Sequence, residues 1–221
     1  MNSAEARAAV LAARQAMYRE GLVVGTAGNV SVRADGHADA MHITPSRMPS
    51  DETTVDDIVT VTFDGDPIEG DRIPSVECLM HGAVYRARED VRAVVHAHPV
   101  FSSVLAVRHE AIPPILDEQV VYVGGEVAVS DYAPSATEEL AEATVAALGP
   151  RMAVLLANHG TLAVGSDPEH ALEVTRLVER LAQIWYFADA RPGSRLLPED
   201  VAAAERDIFH MQRQVEIDQW R

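Results

Sequence analysis

Cysteine, aromatic residues and long apolar runs are all scarce in this sequence of 221 residues. Its single cysteine, Cys78, excludes an internal disulfide, and no basic segment followed by an apolar one opens the chain. These two features predict a cytoplasmic protein that carries no secretion signal. Because no apolar run reaches about 18 residues, a membrane-spanning helix is not expected either.

Positive charge is scarce as well. The sequence contains 18 Lys and Arg residues against 34 Asp and Glu residues, which gives a formal net charge of -16 at pH 7. Such a surface repels nucleic acids and anionic membranes, so we expect neither as a partner. A small anionic substrate is compatible with this charge if its pocket is locally positive.

The remaining composition is typical of a globular protein, with 48% hydrophobic and 24% charged residues. The length predicts a single domain over residues 1–221. Gly21 is expected to end the first helix and Ser75 to cap the second. We predict helices over 2–20, 76–87, 101–107, 138–148, 169–190 and 200–220, and strands over 30–33, 41–44, 59–63, 93–97 and 153–157. This interleaved order predicts an α/β domain whose central sheet is covered by helices on both sides.

Three histidines and one glutamate form a candidate metal site. His96 and His98 lie two residues apart in a strand-like segment, so both imidazoles leave the same face and can hold one ion. His159 ends another apolar strand, just before a glycine turn. Glu77 falls in the first turn of its predicted helix, where the helix dipole favours a carboxylate that serves as ligand or general base.

Three imidazoles leave one coordination position open, which is typical of a catalytic rather than a structural zinc site. The same ligands, with a carboxylate, also suit iron, cobalt or manganese. Spacing alone leaves a second interpretation open, in which partly buried histidines bond to the backbone and Glu77 only caps its helix.

Five motifs together identify a family. They are Gly25-Thr26-Ala27-Gly28-Asn29-Val30-Ser31, Ile43-Thr44-Pro45-Ser46, Pro74-Ser75-Val76-Glu77, His96-Ala97-His98-Pro99 and Asn158-His159-Gly160. In this order they resemble the class II aldolase and adducin family, over about residues 4–190. That family includes fuculose-phosphate aldolases, ribulose-phosphate 4-epimerases and dihydroxyphthalate decarboxylases.

The resemblance implies a three-layer domain with a mostly antiparallel central sheet. It also implies a homotetramer with active sites at subunit boundaries, and zinc or a similar divalent ion held by His96, His98 and His159. Glu77 would ligate the metal or move a proton. The metal would stabilise the enolate through which aldol cleavage, epimerisation and decarboxylation all pass.

The resemblance also implies an anion-binding cradle for the substrate. Thr26, Asn29, Ser46 and Ser75 match its substrate-binding positions. Two other positions depart from the family pattern. Arg47 stands where the family has a glycine, and Val76 replaces a second serine. Since a guanidinium fork matches a carboxylate as well as a phosphate, these departures favour a carboxylated substrate.

We therefore predict a metal-dependent carbon–carbon lyase, and favour a decarboxylase of a vicinal dihydroxy aromatic acid such as 3,4-dihydroxyphthalate. The alternative is a sugar-phosphate aldolase acting on a substrate like fuculose 1-phosphate, or a related epimerase. Glu77 or Glu118 would reprotonate the product. Tyr132 matches a second tyrosine of the aldolases, whereas no tyrosine stands at 116–118, where the tyrosine of a neighbouring subunit would fall.

Two other protein classes share part of this pattern. Adducin-like domains keep the fold for assembly, but they generally lack the metal histidines that are present here. Cupin dioxygenases also use a His-x-His pair, a glutamate and a distant histidine. Their glutamate follows the pair in an all-β barrel, whereas Glu77 precedes it and long helical segments flank it.

Overall fold

Strands and helices alternate along the chain in the computed structural model, which describes residues 2–189 and 192–219. The described strands are β1 (Asn29–Arg33), β2 (Ala40–Ile43), β3 (Val59–Thr62), β4 (Pro67–Glu69), β5 (Ala93–Ala97), β6 (Ala153–Leu156) and β7 (Gly160–Gly165). The described helices are α1 (Ser3–Arg19), α2 (Cys78–Ala87), α3 (Val100–Arg108), α4 (Asp117–Val123), α5 (Glu138–Leu148), α6 (Pro168–Asp189) and α7 (Glu199–Gln219), with a 3-10 turn at Val55–Asp57. The predicted ends of the last two helices, Ala190 and Trp220, lie outside the described residues.

The seven described strands form one sheet in the order β4-β3-β2-β1-β5-β7-β6, and every neighbouring pair is antiparallel. The predicted antiparallel central sheet is therefore confirmed. Asn29 of β1 pairs with His96 of β5, and Ala97 of β5 pairs with Thr161 of β7. The start of β1, the end of β5 and the start of β7 consequently lie side by side, at the same end of these three strands.

Helices cover both faces of the sheet, as predicted. Helices α1 and α6 pack together against β1, β5 and β7, around an apolar cluster that includes Val10, Val30, Val95 and Leu172. Helices α2 and α5 pack together around a second cluster. Burying these side chains supplies the main driving force for folding. Among the described helices, none combines the length and apolarity needed to cross a bilayer.

The second helix begins later than the sequence predicts. It starts at Cys78, with Glu77 as its N-cap, so Ser75 does not cap it and Glu77 lies just outside its first turn. The Ser75 hydroxyl instead accepts a hydrogen bond from the Glu77 backbone N–H, at 3.3 Å. Because Glu77 precedes the first helical residue, its side chain is not held in the helical arrangement.

Besides the 3-10 turn, three described elements were not predicted: α4, the three-residue strand β4, and β7. Helix α4 has only seven residues, too few for a clear helical repeat. Strand β7 begins and ends with glycine, which has a low strand propensity. Its position between two paired strands compensates for that weakness.

Candidate metal centre and adjoining pocket

The end of β5 places the first two histidines. His96 is completely buried, and its Nδ1 donates a hydrogen bond to the Thr161 carbonyl at 2.9 Å. Because a carbonyl can only accept, this bond leaves a lone pair on the His96 Nε2. A backbone partner of this kind commonly orients a metal-binding imidazole. His98 follows the strand, and its backbone N–H donates to the Leu22 carbonyl.

A tight turn between β6 and β7 places the third histidine. Asn158 has a φ of 55°, and His159 donates its backbone N–H to the Leu156 carbonyl at 3.0 Å. Gly160 follows, where an added Cβ would lie 2.4 Å from the Ala97 carbonyl oxygen. Only glycine lets β7 start this close to β5, so the turn holds His159 beside the other imidazoles.

The three imidazoles face one another. Their ring centroids are 4.7 to 5.0 Å apart, and one nitrogen from each lies within 4.8 Å of the others. The Nε2 atoms of His96 and His98 are only 2.9 Å apart, so they must share a proton or a cation. Burial, followed by the neighbouring imidazoles, lowers the pKa of His98 to about 4. Neutral imidazoles are the form that binds a metal, so this donor set fits a divalent ion.

The Glu77 carboxylate completes the cluster. Its two oxygens lie 3.3 Å from His96 Nε2 and 3.1 Å from His159 Nε2. Asn29 donates its amide to one oxygen at 2.7 Å, and Ser135 donates its hydroxyl to the other at 3.1 Å. Burial raises the pKa of Glu77, but the adjacent imidazoles and the Asn29 bond outweigh it and hold the pKa below its usual range. The group is therefore an ionised base with fixed orientation.

A buried row of polar contacts aligns α2 with β1 and so fixes Glu77. Besides the Asn29–Glu77 bond, the Ser31 hydroxyl lies 2.7 Å from His81 Nδ1 and 2.8 Å from the Tyr85 hydroxyl. Two strand residues span about 6.6 Å and four helix residues about 6.0 Å. The step from Asn29 to Ser31 along β1 therefore matches the turn from Glu77 to His81, and a slip of the helix would break these contacts.

A cavity of about 250 Å³ opens next to the imidazoles. It brings together most of the predicted site residues: Thr26, Asn29, Ser46, Arg47, Ser75, Glu77, His98 and His159 line it, along with Val76 and Ser135. His96 lies behind this lining, where it is buried against β7.

Two chain segments are joined at the wall of the cavity. Ser46 donates its backbone N–H to the Ile73 carbonyl at 2.8 Å, and Ser75 donates its backbone N–H to the Thr44 carbonyl at 3.1 Å. These bonds hold the segments that carry Ser46 and Ser75 side by side. At Gly28 an added Cβ would lie 2.8 Å from the His96 carbonyl oxygen, so only glycine lets the loop pass this close to β5.

Backbone strain is concentrated around the cavity. Among the described residues, four non-glycine residues have positive φ, and three of them adjoin the site: Arg47 at 55°, Ala136 at 64° and Asn158 at 55°. A positive φ raises the conformational energy of arginine and alanine, and residues with such strained backbones cluster at functional sites. The unusual Arg47 thus occupies a conformation that suits the family's glycine better.

Two predicted catalytic residues lie elsewhere on the described chain. Tyr132 is 63% exposed and Glu118 contacts Arg180 at 3.0 Å, and neither lines the cavity. A single chain therefore does not bring them to the imidazoles. Ser135, in contrast, is a site residue that the sequence analysis missed. No local pattern distinguishes it, because its role comes from a contact with Glu77, 58 positions away.

The chain matches known proteins over most of its length. The family model described as "Class II Aldolase and Adducin N-terminal domain" matches residues 8–186. The 5-deoxy-D-ribulose 1-phosphate aldolase of Bacillus thuringiensis serovar kurstaki is 36% identical over 196 residues, which cover 88% of this chain and 90% of that protein. The L-fuculose phosphate aldolase of Escherichia coli K12 is 39% identical over 188 residues, covering 84% and 86%.

A solved structure agrees with these relatives. An L-fuculose 1-phosphate aldolase superposes with a TM-score of 0.88 at 33% identity, covering 93% of this chain and 96% of that one. These names support the aldolase alternative of the sequence analysis and give no support to the favoured decarboxylase. Arg47 and Val76 alone were therefore a poor guide to the reaction, since a guanidinium binds phosphate as readily as carboxylate.

Proposed function

Because the chain belongs to the class II aldolase and adducin family, we propose that it is a divalent-metal-dependent aldolase that cleaves a ketose 1-phosphate. One observation carries the proposal: the cluster of three imidazoles and Glu77 opens directly onto a cavity that Ser46, Arg47 and Ser75 also line. Metal-assisted carbonyl chemistry and anion binding within one cavity suit such a substrate.

The reaction breaks the bond between C3 and C4 of the ketose. The C4 hydroxyl loses its proton and becomes an aldehyde carbonyl, while the electron pair stays on C3 as an enolate. Protonation at C3 then gives dihydroxyacetone phosphate. His96, His98 and His159 would hold a divalent ion, whose Lewis acidity would stabilise the negative charge that develops on the substrate.

The chain's own residues orient the substrate and move the proton. Glu77 is ionised and faces the cavity, so it can exchange a proton with the carbon or oxygen next to the imidazoles. Asn29 and Ser135 hold its two oxygens. Ser46, Ser75 and Arg47 would bind the phosphate group, since hydroxyl and guanidinium donors match its oxygens. Thr26, at the rim, would complete this cradle.

Zinc is the ion that we propose, because three imidazoles with an open position match its catalytic sites. Iron, cobalt and manganese accept the same ligands. Metal analysis of the purified protein tests this choice, with His159→Ala as the variant expected to lose the ion.

We also propose that the active enzyme is a homotetramer with its sites at subunit boundaries. An exposed apolar patch supports this assembly: Val100, Val107 and Phe187 are 56 to 65% exposed, and the Phe187 ring lies 5.7 Å from Phe101. Patches of this kind commonly mark interfaces. A neighbouring copy could supply Tyr132 or Glu118, which one chain leaves outside its own cavity. Light scattering of wild type and Phe187→Asp tests the assembly, and an active monomeric wild type would contradict it.

A parallel assay tests the reaction. Metal-loaded protein is incubated with fuculose 1-phosphate, 5-deoxyribulose 1-phosphate and 3,4-dihydroxyphthalate, and dihydroxyacetone phosphate, aldehyde and carbon dioxide are measured. We expect dihydroxyacetone phosphate and aldehyde from at least one ketose phosphate, and loss of both in Glu77→Gln. If only 3,4-dihydroxyphthalate reacts and carbon dioxide is released, the protein is a decarboxylase and not an aldolase. If a ketose phosphate is converted to its epimer without cleavage, the protein is an epimerase.

A further inference from the structure

A buried arginine behind the cradle has no role in the proposed reaction so far. Arg14 lies on α1 and is completely buried, yet no carboxylate of the described residues pairs with it. Its Nε and Nη1 have no hydrogen-bond partner within residues 2–189 and 192–219, and burial lowers its pKa. Its Nη2 donates a hydrogen bond to the Met48 carbonyl, the one such bond of this side chain within the same ranges.

Arg14 and Arg213 are the two most buried arginines of the described residues, and of the two only Arg14 contacts no carboxylate. The side chains of Arg7, Arg88 and Arg213 are 9 to 14% exposed, and each contacts a carboxylate. Such pairing offsets much of the cost of removing a charge from water. Arg14 lacks that compensation, so an apolar side chain at this position would be expected to stabilise the fold.

The single bond of Arg14 is formed at a sensitive place. Met48 directly follows Arg47, whose φ of 55° turns the chain at the cavity wall. On the other side of this turn, Ser46 is tied to Ile73. The turn is therefore fixed at both ends, by a backbone bond before Arg47 and by Arg14 after it.

From this arrangement we propose that Arg14 is a positioning residue for substrate anions. It holds the Met48 carbonyl, which keeps Arg47 in its strained conformation and its guanidinium at the cavity. The inference rests on the proposed function in one respect, namely that the cavity accepts a phosphorylated compound. Arg14 touches no substrate itself and acts through the turn.

A neighbouring residue of the same helix supplies a matched control. Gln15 donates its amide to the Thr53 carbonyl at 3.5 Å, which ties α1 to the same loop beyond the turn. If a tether from helix to loop were enough, Gln15→Met and Arg14→Met would have similar effects. If Arg14 acts through Arg47, only Arg14→Met affects anion binding.

The test measures binding of glycerol 3-phosphate to the full-length, metal-loaded protein by calorimetry, so it does not depend on turnover. We expect Arg14→Met to weaken binding about tenfold, the loss of one charge-assisted contact. Arg14→Lys, which can still donate to Met48, should stay within about threefold of wild type, and Gln15→Met should match wild type. In an Arg47→Ala background, Arg14→Met should change affinity less than about twofold, because coupled residues are not additive.

Equal weakening by Arg14→Met with and without Arg47 would overturn the proposal and leave only a structural role. Unchanged affinity in Arg14→Met, or no binding by wild type, would overturn it too. If Arg14→Met lacks a native circular dichroism spectrum, Arg14→Gln replaces it, with the same expected weakening and the same contradicting result. Binding that follows the expected pattern without cleavage of any ketose phosphate would refute the proposed function alone.

Discussion

Two groups of residues at the cavity, the imidazoles and the loop residues Ser46, Arg47 and Ser75, are built in different ways. His96 lies within a paired strand and His159 lies in a turn between two strands, so the sheet register sets their positions. The loop residues lie outside the described helices and strands. The imidazoles are held by backbone pairing, whereas the loop residues depend on a few hydrogen bonds and one strained conformation.

This structural difference separates the residues expected to carry the chemistry from those expected to select the substrate. A metal site needs its ligands within a few tenths of an ångström, which paired strands provide. Loops can change a side chain without disturbing the sheet, so they commonly carry specificity. Arg47 and Val76, the two departures from the family pattern, both lie in loops and line the cavity. We therefore expect variants of the imidazoles to abolish turnover and variants of the loop residues to change substrate affinity.

The largest effect is expected from His96→Ala. It removes an imidazole from the cluster, so metal content should fall and kcat/KM should drop at least about a thousandfold, because the Lewis acid supplies several kcal/mol. Metal analysis and turnover measure the two losses. A chelator should reproduce them in wild type, and normal activity in the variant would remove His96 from the site.

Glu77→Gln should separate proton transfer from metal binding. The amide keeps the shape of the side chain but cannot act as a base, so kcat should fall about a hundredfold or more, with metal content preserved. Steady-state kinetics and metal analysis check this result. Loss of the metal together with the activity would instead make Glu77 a ligand.

Among the loop residues, Arg47→Ala should raise KM for a ketose phosphate about tenfold and leave kcat nearly unchanged. Arg47→Gly loses the same guanidinium but relieves the positive φ, which costs about 1 to 3 kcal/mol in a non-glycine residue. The glycine variant should therefore melt several degrees above the alanine variant. Equal melting temperatures would show that the turn is not strained, and an unchanged KM would exclude Arg47 from the cradle.

The same division explains what the sequence could predict. The alternation around His96 and His98, and the glycine after His159, are local patterns, so the candidate imidazole cluster follows from them, whereas the antiparallel sheet was expected only from the resemblance to the family. Ser135 and the tie between Arg14 and Met48 are long-range contacts that no local pattern encodes. The Glu77 N-cap was also missed, because Ser75 satisfies the usual capping preference and only the register of α2 on β1 excludes it.

The smallest effect is expected in the loop that carries Ser135, whose hydroxyl donates to the Glu77 carboxylate. Ser135→Ala removes one hydrogen bond to the carboxylate, so kcat should fall about two- to tenfold with KM unchanged. Thr137 belongs to the same loop but caps α5, accepting a bond from Leu140 at 3.2 Å. Thr137→Ala should lower the melting temperature, since a lost cap costs about 1 kcal/mol, and leave kcat unchanged. Kinetics and melting of both variants distinguish the two roles. If Thr137→Ala reduced kcat as much as Ser135→Ala, loop stability rather than the bond to Glu77 would control the rate.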